Sequence, residues 1–248
     1  MNIKRRLLII PNDGGTGNHL NGVAKDIENT VSFFTSNEGG AWETSEIVRL
    51  PNRPLLSVVK TALYDARKTA DYVLVIFTGH GYETPDGIIK FELNNLASIS
   101  IGDIRSVISP VPLLIIGDCC RVIYKERIFE AKSQIRMFSH GGAVQPREYY
   151  RRQYDNALSA LQPDAFQYGL SCSRDESSQD TSSGGLYLTS LYETAGRVAS
   201  AELNDTSFII RSFAYVHDRA EQAVSRNRYS QHPQRGGDSQ SIFPFVVF

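Results

Sequence analysis

Apolar runs bounded by turn residues alternate along this chain with stretches whose apolar positions recur every three or four residues. The runs at 7–10, 72–77 and 113–116 are aliphatic or aromatic at every position, as strands buried on both faces of a parallel sheet are. Residues 46–50 give a shorter strand signal that stops at Pro51. Between these runs, Leu20, Val23, Ala24, Ile27, Val31 and Phe34 share one side of a helix, and Val58, Val59, Ala62, Leu63 and Ala66 do the same within 55–69. The order up to Phe77 is therefore β-α-β-α-β, which predicts a mainly parallel sheet with helices on its faces.

Beyond Gly81, Thr84-Pro85-Asp86-Gly87 is a turn signal, and residues 88–93 complete a small hairpin. Ser100 is placed to cap a helix through Ile101, Ile104, Val107 and Ile108 that ends near Pro110. Residues 165–170 read as a further strand, 186–201 and 208–226 as helices, and 242–248 as a last strand. Residues 125–164 differ. They carry Arg127, Arg136, Arg147, Arg151 and Arg152 with a Gly141-Gly142 pair and little period, which predicts a long irregular loop. No internal repeat or shift of composition divides the chain, so one domain is expected.

Composition narrows the function classes. The chain has 248 residues and a formal net charge of −1, from 26 Lys and Arg against 27 Asp and Glu. Nothing in that balance supplies the basic field of a nucleic-acid binder, and a solvated loop accounts for the arginines of 125–152. The cysteines are Cys119, Cys120 and Cys172, two of them adjacent, and their number is odd. That argues against a disulfide framework and for a reducing compartment with a reactive thiol. The basic N-terminus is followed by only four apolar residues before Pro11, too few for a secretory leader. No run approaches the ~18 apolar residues of a membrane span. A soluble, cytoplasmic protein without membrane or nucleic-acid partners is the expectation.

Two strings carry the chemistry. Thr78-Gly79-His80-Gly81 ends one buried strand and Asp118-Cys119-Cys120 ends another. If those strands are parallel in one sheet, an imidazole and a thiol stand at the carboxyl edge, where open α/β sheets place their sites. Together they are the smallest kit for nucleophilic catalysis. Strand alternation faces Asp118 and Cys120 one way and Cys119 the other, which makes Cys120 the nucleophile. Gly79 and Gly81 permit a tight turn and leave the Gly81 amide to face an oxyanion. The Arg121 charge is expected to lower a nearby thiol pKa.

Other uses of these residues fit less well. A buried structural histidine or thiol is the plain alternative. Zinc ligation by His80, Cys119 and Cys120 lacks a C-x-x-C pair. The string Asp13-Gly14-Gly15-Thr16-Gly17-Asn18 has no Gly-Lys-Ser/Thr, and Leu20 stands where a dinucleotide loop needs a third Gly or Ala. It reads as a turn at a sheet edge.

In order and strand context, the two strings resemble the caspase–metacaspase superfamily, the clan CD cysteine peptidases, and most of all its metacaspases and bacterial caspase-like proteins. The family's histidine box, Ser/Thr-Gly-His-Gly, corresponds to residues 78–81. Its cysteine box, often Asp-Cys-Cys-His-Ser-Gly, corresponds to Asp118-Cys119-Cys120, with Arg121 and Val122 in place of His-Ser. On the first helix, Gly22 and Asp26 match the family's Gly-Cys-x-x-Asp-Ala, with Val23 replacing the Cys. Leu170-Ser171-Cys172-Ser173-Arg174-Asp175 and Gly184-Gly185-Leu186 resemble its serine-rich segment and following helix.

The resemblance spans nearly the whole chain and implies a three-layer αβα sandwich around a mainly parallel sheet of about six strands. Residues 1–248 would form a single peptidase domain: a large-subunit-like part (1–124), an Arg-rich loop or processing linker (125–164) and a small-subunit-like part (165–248). Catalysis is implied at His80 and Cys120, with the backbone amides of Gly81 and Cys120 as the oxyanion hole. Asp26, Thr78 and Asp118 would form an acidic S1 pocket, so that peptides and proteins are cut after Arg in preference to Lys. The alternative for Asp26 is a solvated helix face, and for Asp118 a local cap. Arg136, Arg147, Arg151 and Arg152 are implied as autoprocessing sites.

The family further implies a regulatory partner or activator, and a role in bacterial defence or programmed cell death. No cofactor is expected. Many metacaspases respond to calcium, but no EF-hand loop is present, and Asp175, Glu176 and Asp180 read as a solvated loop. A catalytically silent binding scaffold is the second reading, against which the intact dyad speaks. A different Cys-dependent hydrolase is the third, against which the lack of a Gly-x-Cys-x-Gly elbow speaks.

Overall fold

A computed structural model describes residues 3–16, 18–121, 145–202, 209–226 and 231–248. Its centre is a sheet of six strands. Four of the apolar runs supply strands β1 (Arg5–Asn12), β3 (Tyr72–Gly79), β7 (Leu113–Asp118) and β8 (Phe166–Leu170), and the short signal before Pro51 gives β2 (Ile47–Arg49). These five are parallel, with neighbours β8-β7-β3-β1-β2. The sixth strand is β12 (Gln234–Gly237), antiparallel to β8 at the edge. Residues 242–248 also contain a strand, β13 (Pro244–Val247), but it pairs with β11 (Ile210–Ser212) in a separate ladder.

Alternation along the strands builds the layers. Leu7, Ile9, Leu74, Ile76, Leu114 and Ile116 face one core. There they meet helices α1 (Val23–Thr35), α4 (Arg147–Leu158), α5 (Leu186–Glu202) and α6 (Phe213–Ser225). Leu8, Ile10, Val73, Val75, Phe77 and Ile115 face the other, under α2 (Leu56–Thr69) and α3 (Ile101–Ile108). The result is the expected three-layer sandwich. Ser100 caps α3 in a capping box with Asp103, as its position predicts. Beside α3, β4 (Gly81–Glu83), β5 (Ile89–Asn94) and β6 (Ala97–Ser100) form a three-stranded antiparallel unit, one strand more than a hairpin. Phe91 of β5 stacks on Phe77 of β3 with ring centroids 4.5 Å apart and fastens that unit to the sheet.

Three expectations are corrected. The irregular loop predicted over 125–164 is helical from Arg147. Tyr150, Tyr154 and Leu158 form a buried stripe at spacings of four, while polar residues elsewhere on α4 hide the period. Residues 122–144, and with them Arg136, lie outside the described residues. Arg147 donates to the carbonyls of Thr35 and Trp42, and Arg151 makes a paired bond to Glu46. Arg152, by contrast, is exposed on α4. Asp155 of the same helix binds the fully buried Arg5, whose guanidinium lies over the rings of Trp42 and Tyr154. Second, the helix predicted from 208 starts at Phe213, because Ile210–Ser212 pairs with β13 and Ser212 caps the helix. Third, Asp180, read as part of a solvated loop, lies in the short strand β9 (Asp180–Thr181), which pairs with β10 (Gly184–Gly185).

Candidate active site

All five parallel strands end at one edge, so the segments after β1, β3, β7 and β8 converge there. Thr78 on β3 is the register partner of Asp118 on β7. His80 and Cys120 each lie two residues further on, side by side in the chain order of adjacent strands. The two loops touch: a β-carbon on Gly81 would come 2.7 Å from Cys119 Sγ. Any side chain at position 81 would push the loops apart.

The segment read as an edge turn holds the histidine. His80 Nε2 lies 2.7 Å from the carbonyl oxygen of Asn18. A carbonyl only accepts, so Nε2 carries the proton and Nδ1 is the basic nitrogen of the neutral ring. Gly14, at φ +80°, is what lets the segment close over the imidazole, since a β-carbon there would lie 2.5 Å from Nε2 and 2.0 Å from the Asn18 oxygen. Asn12 at the end of β1 steadies the turn by accepting from the Gly14 amide and donating to Glu92 O. Neither Gly14 nor Asn18 stands out in the sequence as a site residue. The run of glycines after a buried strand was the available signal.

Alternation separates the cysteines as expected. Cys119 is buried, while Cys120 is partly accessible. Cys120 Sγ donates to Ser178 O at 3.8 Å. Burial pushes the Cys120 thiol above its ordinary value, the Ser178 bond lowers it part of the way, and the Asp118 charge raises it again. The resting group is therefore a thiol that needs a base. Arg121 lowers nearby thiols as expected, but at Cys119 and Cys172 and not at Cys120. Its Nε and Nη2 bind Glu83 Oε2 at 3.1 and 2.7 Å, and its Nη1 donates to Cys172 O. Its charge acts on the Cys119 and Cys172 thiols against burial, which raises both.

Beside His80 and Cys120, three carboxylates gather. Asp26 is 2% exposed and Asp118 4%, so neither lies on a solvated face. Thr78 Oγ1 donates to Asp26 Oδ2 at 2.6 Å, and the Gly185 amide donates to Asp26 Oδ1 at 2.8 Å. Asp118 accepts from the Leu188 amide and, in a short bond, from the Ser178 hydroxyl. Gly184 and Gly185 let the backbone reach both: β-carbons there would lie 2.4 Å from Asp26 Oδ1 and 2.3 Å from Asp118 Oδ2. Asp180 stands at the rim and accepts from the Gly22 amide at the start of α1. Burial holds Asp26 well above the usual carboxylate range, with the Asp118 charge adding to it. Burial also lifts Asp118 to about 6, against the bonds from Ser178 and Leu188. The groups acting on these two acids are hydroxyls, amides and other carboxylates, with no Lys or Arg among them. Burial therefore favours the protonated form of both acids until a cation offsets the cost of ionising them.

Asp26, Thr78, His80, Asp118 and Cys120 are brought to one edge. Sequence reasoning missed Ser178, which touches both Cys120 and Asp118, and took Asp180 for a solvated acid. Both sit in a polar stretch without period. Among the described residues, no three His, Cys, Asp or Glu side chains are grouped to hold a metal ion, and no helix is long and apolar enough to cross a membrane.

Residues 4–239 match the Peptidase_C14 family model, the caspase domain. Among solved structures, the crystal structure of caspase-1 from Spodoptera frugiperda is similar over 96% of this chain and 88% of its own, with a TM-score of 0.61. Sequence identity is 14%, so this likeness concerns the fold. No curated protein matches the chain.

Proposed function

The chain belongs to the caspase-domain family, and on that premise we propose that it is a cysteine endopeptidase that cuts proteins after basic residues through Cys120 and His80. The observation that carries the reading is the buried carboxyl pair Asp26–Asp118 beside the partly accessible Cys120. A buried carboxylate pair stays ionised at low cost only when a cation arrives, and a guanidinium offers a planar donor set for both acids. Arg is therefore preferred over the point charge of Lys. A pocket for Asp would need arginines where this one has carboxylates.

The proposed steps use these groups as follows. His80 Nδ1 takes the Cys120 proton as Sγ attacks the scissile carbonyl. The amides of Gly81 and Cys120 hold the oxyanion. Glu92 N–H donates to His80 O, so in the antiparallel register His80 occupies a hydrogen-bonded position and Gly81 does not. That turns the Gly81 N–H away from β5. Collapse breaks the C–N bond, and His80 returns its proton to the departing amine, leaving a thioester on Sγ. His80 then deprotonates water, which attacks the thioester and releases the acid and the thiol. To reach Asp118, the P1 cation displaces the Ser178 hydroxyl.

Binding of n-butylguanidinium, a P1 side chain without a carbonyl, tests the pocket apart from the dyad. Below about 6 Asp118 is protonated and has no charge to offer. Affinity is expected to fall as pH drops from 7.5 to 5, by about tenfold for each unit below the midpoint. Asp118→Asn should flatten that profile. A flat profile in the wild-type protein would remove the basic-residue reading.

A further inference from the structure

Three segments compose the site: the end of β3 with His80, the end of β7 with Cys120, and residues 171–180 with Ser178. Each lies beyond the carboxyl end of a strand of the central sheet, so that sheet alone does not fix their mutual distance. Glu83 touches all three. It lies three residues past His80 at the end of β4, and its side chain is 3% exposed. Its Oε2 receives Arg121, the residue after the nucleophile, at 2.7 Å from Nη2. Arg174 Nε stands 3.2 Å from its Oε1.

Arg121 is held at every polar group. Its amide donates to Glu176 O at 3.0 Å, and its carbonyl accepts from the Asp175 amide at 3.1 Å. Its remaining guanidinium nitrogen donates to Cys172 O at 3.0 Å. The backbone on the far side of Cys120 is thus fixed to residues 172–176, while the side chain is fixed to the strand leaving His80. Ser178, two residues past Glu176, is in turn the group that Cys120 Sγ touches. Two guanidinium nitrogens converging on one oxygen of a buried carboxylate hold the planar group in place, and removal of either partner strands a buried charge.

We propose that Glu83 and Arg121 are positioning residues, a buried ion pair that holds the Cys120 loop in register with His80 and carries the Ser178 segment with it. This rests on the His80–Cys120 reading of the site. It also gives Arg121 a purpose: the guanidinium serves the geometry of the nucleophile.

The test uses Glu83→Gln, Arg121→Lys and the double variant Glu83→Gln/Arg121→Gln in the full chain. Turnover of a peptide with Arg at P1 is measured, together with the rate of Cys120 alkylation by iodoacetamide from pH 6 to 10. Glu83→Gln is expected to lower kcat about 30- to 100-fold while KM stays within about twofold, the size of a misplaced reacting group. Its alkylation profile should lose the inflection that His80 imposes on the wild-type thiol. The double variant, in which no charge is stranded, should be no worse than Glu83→Gln, as coupled residues are. Arg121→Lys keeps the charge but loses the fork, so it should fall between wild type and Glu83→Gln. If Glu83→Gln does not fold, Arg121→Lys carries the same comparison. Folded single variants with wild-type kcat and wild-type alkylation profiles would overturn the proposal, as would a folded double variant far less active than Glu83→Gln. A wild-type protein that turns over no peptide would count against the proposed function, and the alkylation profiles would still decide the positioning role.

Discussion

Asp118→Asn is expected to lower kcat/KM for an Arg-P1 peptide by roughly 300-fold, the loss that follows when one partner of a buried charge pair is removed. The same change should make the protein more stable at neutral pH. Burial raises Asp118 from 3.8 to about 6 in the folded chain. Between those values the folded state keeps a proton that the unfolded state has released. Stability therefore declines as pH rises through that window, and the loss persists above it. The ionised acid then costs on the order of 3 kcal/mol. Asn can keep the bonds to Leu188 and Ser178 without the charge, and it removes the repulsion on Asp26. A gain of roughly 6 to 12 °C in melting temperature at pH 7.5 is expected, shrinking at pH 4, where the wild-type acid is already neutral. Opposite signs for stability and activity mark a group held in strain for binding. A destabilised Asp118→Asn with unchanged cleavage after Arg would contradict this account of the pocket.

Gly14→Ala has the second largest expected effect. Its β-carbon would enter the space of the Asn18 carbonyl and the His80 ring at once, and a φ of +80° is strained for alanine. Backbone on that loop has to move, which turns the imidazole or frees Nε2. The expected outcome is a fall in kcat of about 100-fold, with binding of n-butylguanidinium unchanged because Asp26 and Asp118 are not involved. Gly17 lies in the same glycine run but outside the described residues. A Gly14→Ala protein with wild-type kcat would mean that the Asn18 contact does not orient His80.

The parts of the fold that could be read were those where burial dictates composition. The strands β1, β3 and β7 are covered on both faces and leave apolar runs no other element explains. Edge strand β12 is the opposite case. Gln234-Arg235-Gly236-Gly237 is polar because one side faces solvent, and only pairing with β8 makes it a strand. Helix α4 hid for a related reason. Its arginines and Asp155 work on backbone and carboxylates across the fold, so charge outnumbers the tyrosine stripe.

In the site, His80 and Cys120 were legible because glycines and a change of polarity interrupt buried strands at matching heights. Strand parity then separated Cys120 from Cys119. Asp26 and Asp118 were legible only through family likeness. Their burial depends on Gly184 and Gly185, which are more than sixty positions from Asp118 and farther still from Asp26. Glu83, Arg121 and Ser178 were not legible as partners at all. Their pairing is set by where three segments beyond the sheet meet, and no local pattern encodes that meeting.

The central claim is that Cys120, served by His80, cuts peptide bonds after basic residues. It is tested most directly with four fluorogenic peptides that differ only at P1, carrying Arg, Lys, Asp or Leu, presented to wild-type protein and to Cys120→Ala. The account predicts turnover in the order Arg over Lys, none with Asp or Leu, and none from Cys120→Ala with any peptide. Turnover after Asp, or undiminished turnover by Cys120→Ala, would contradict it.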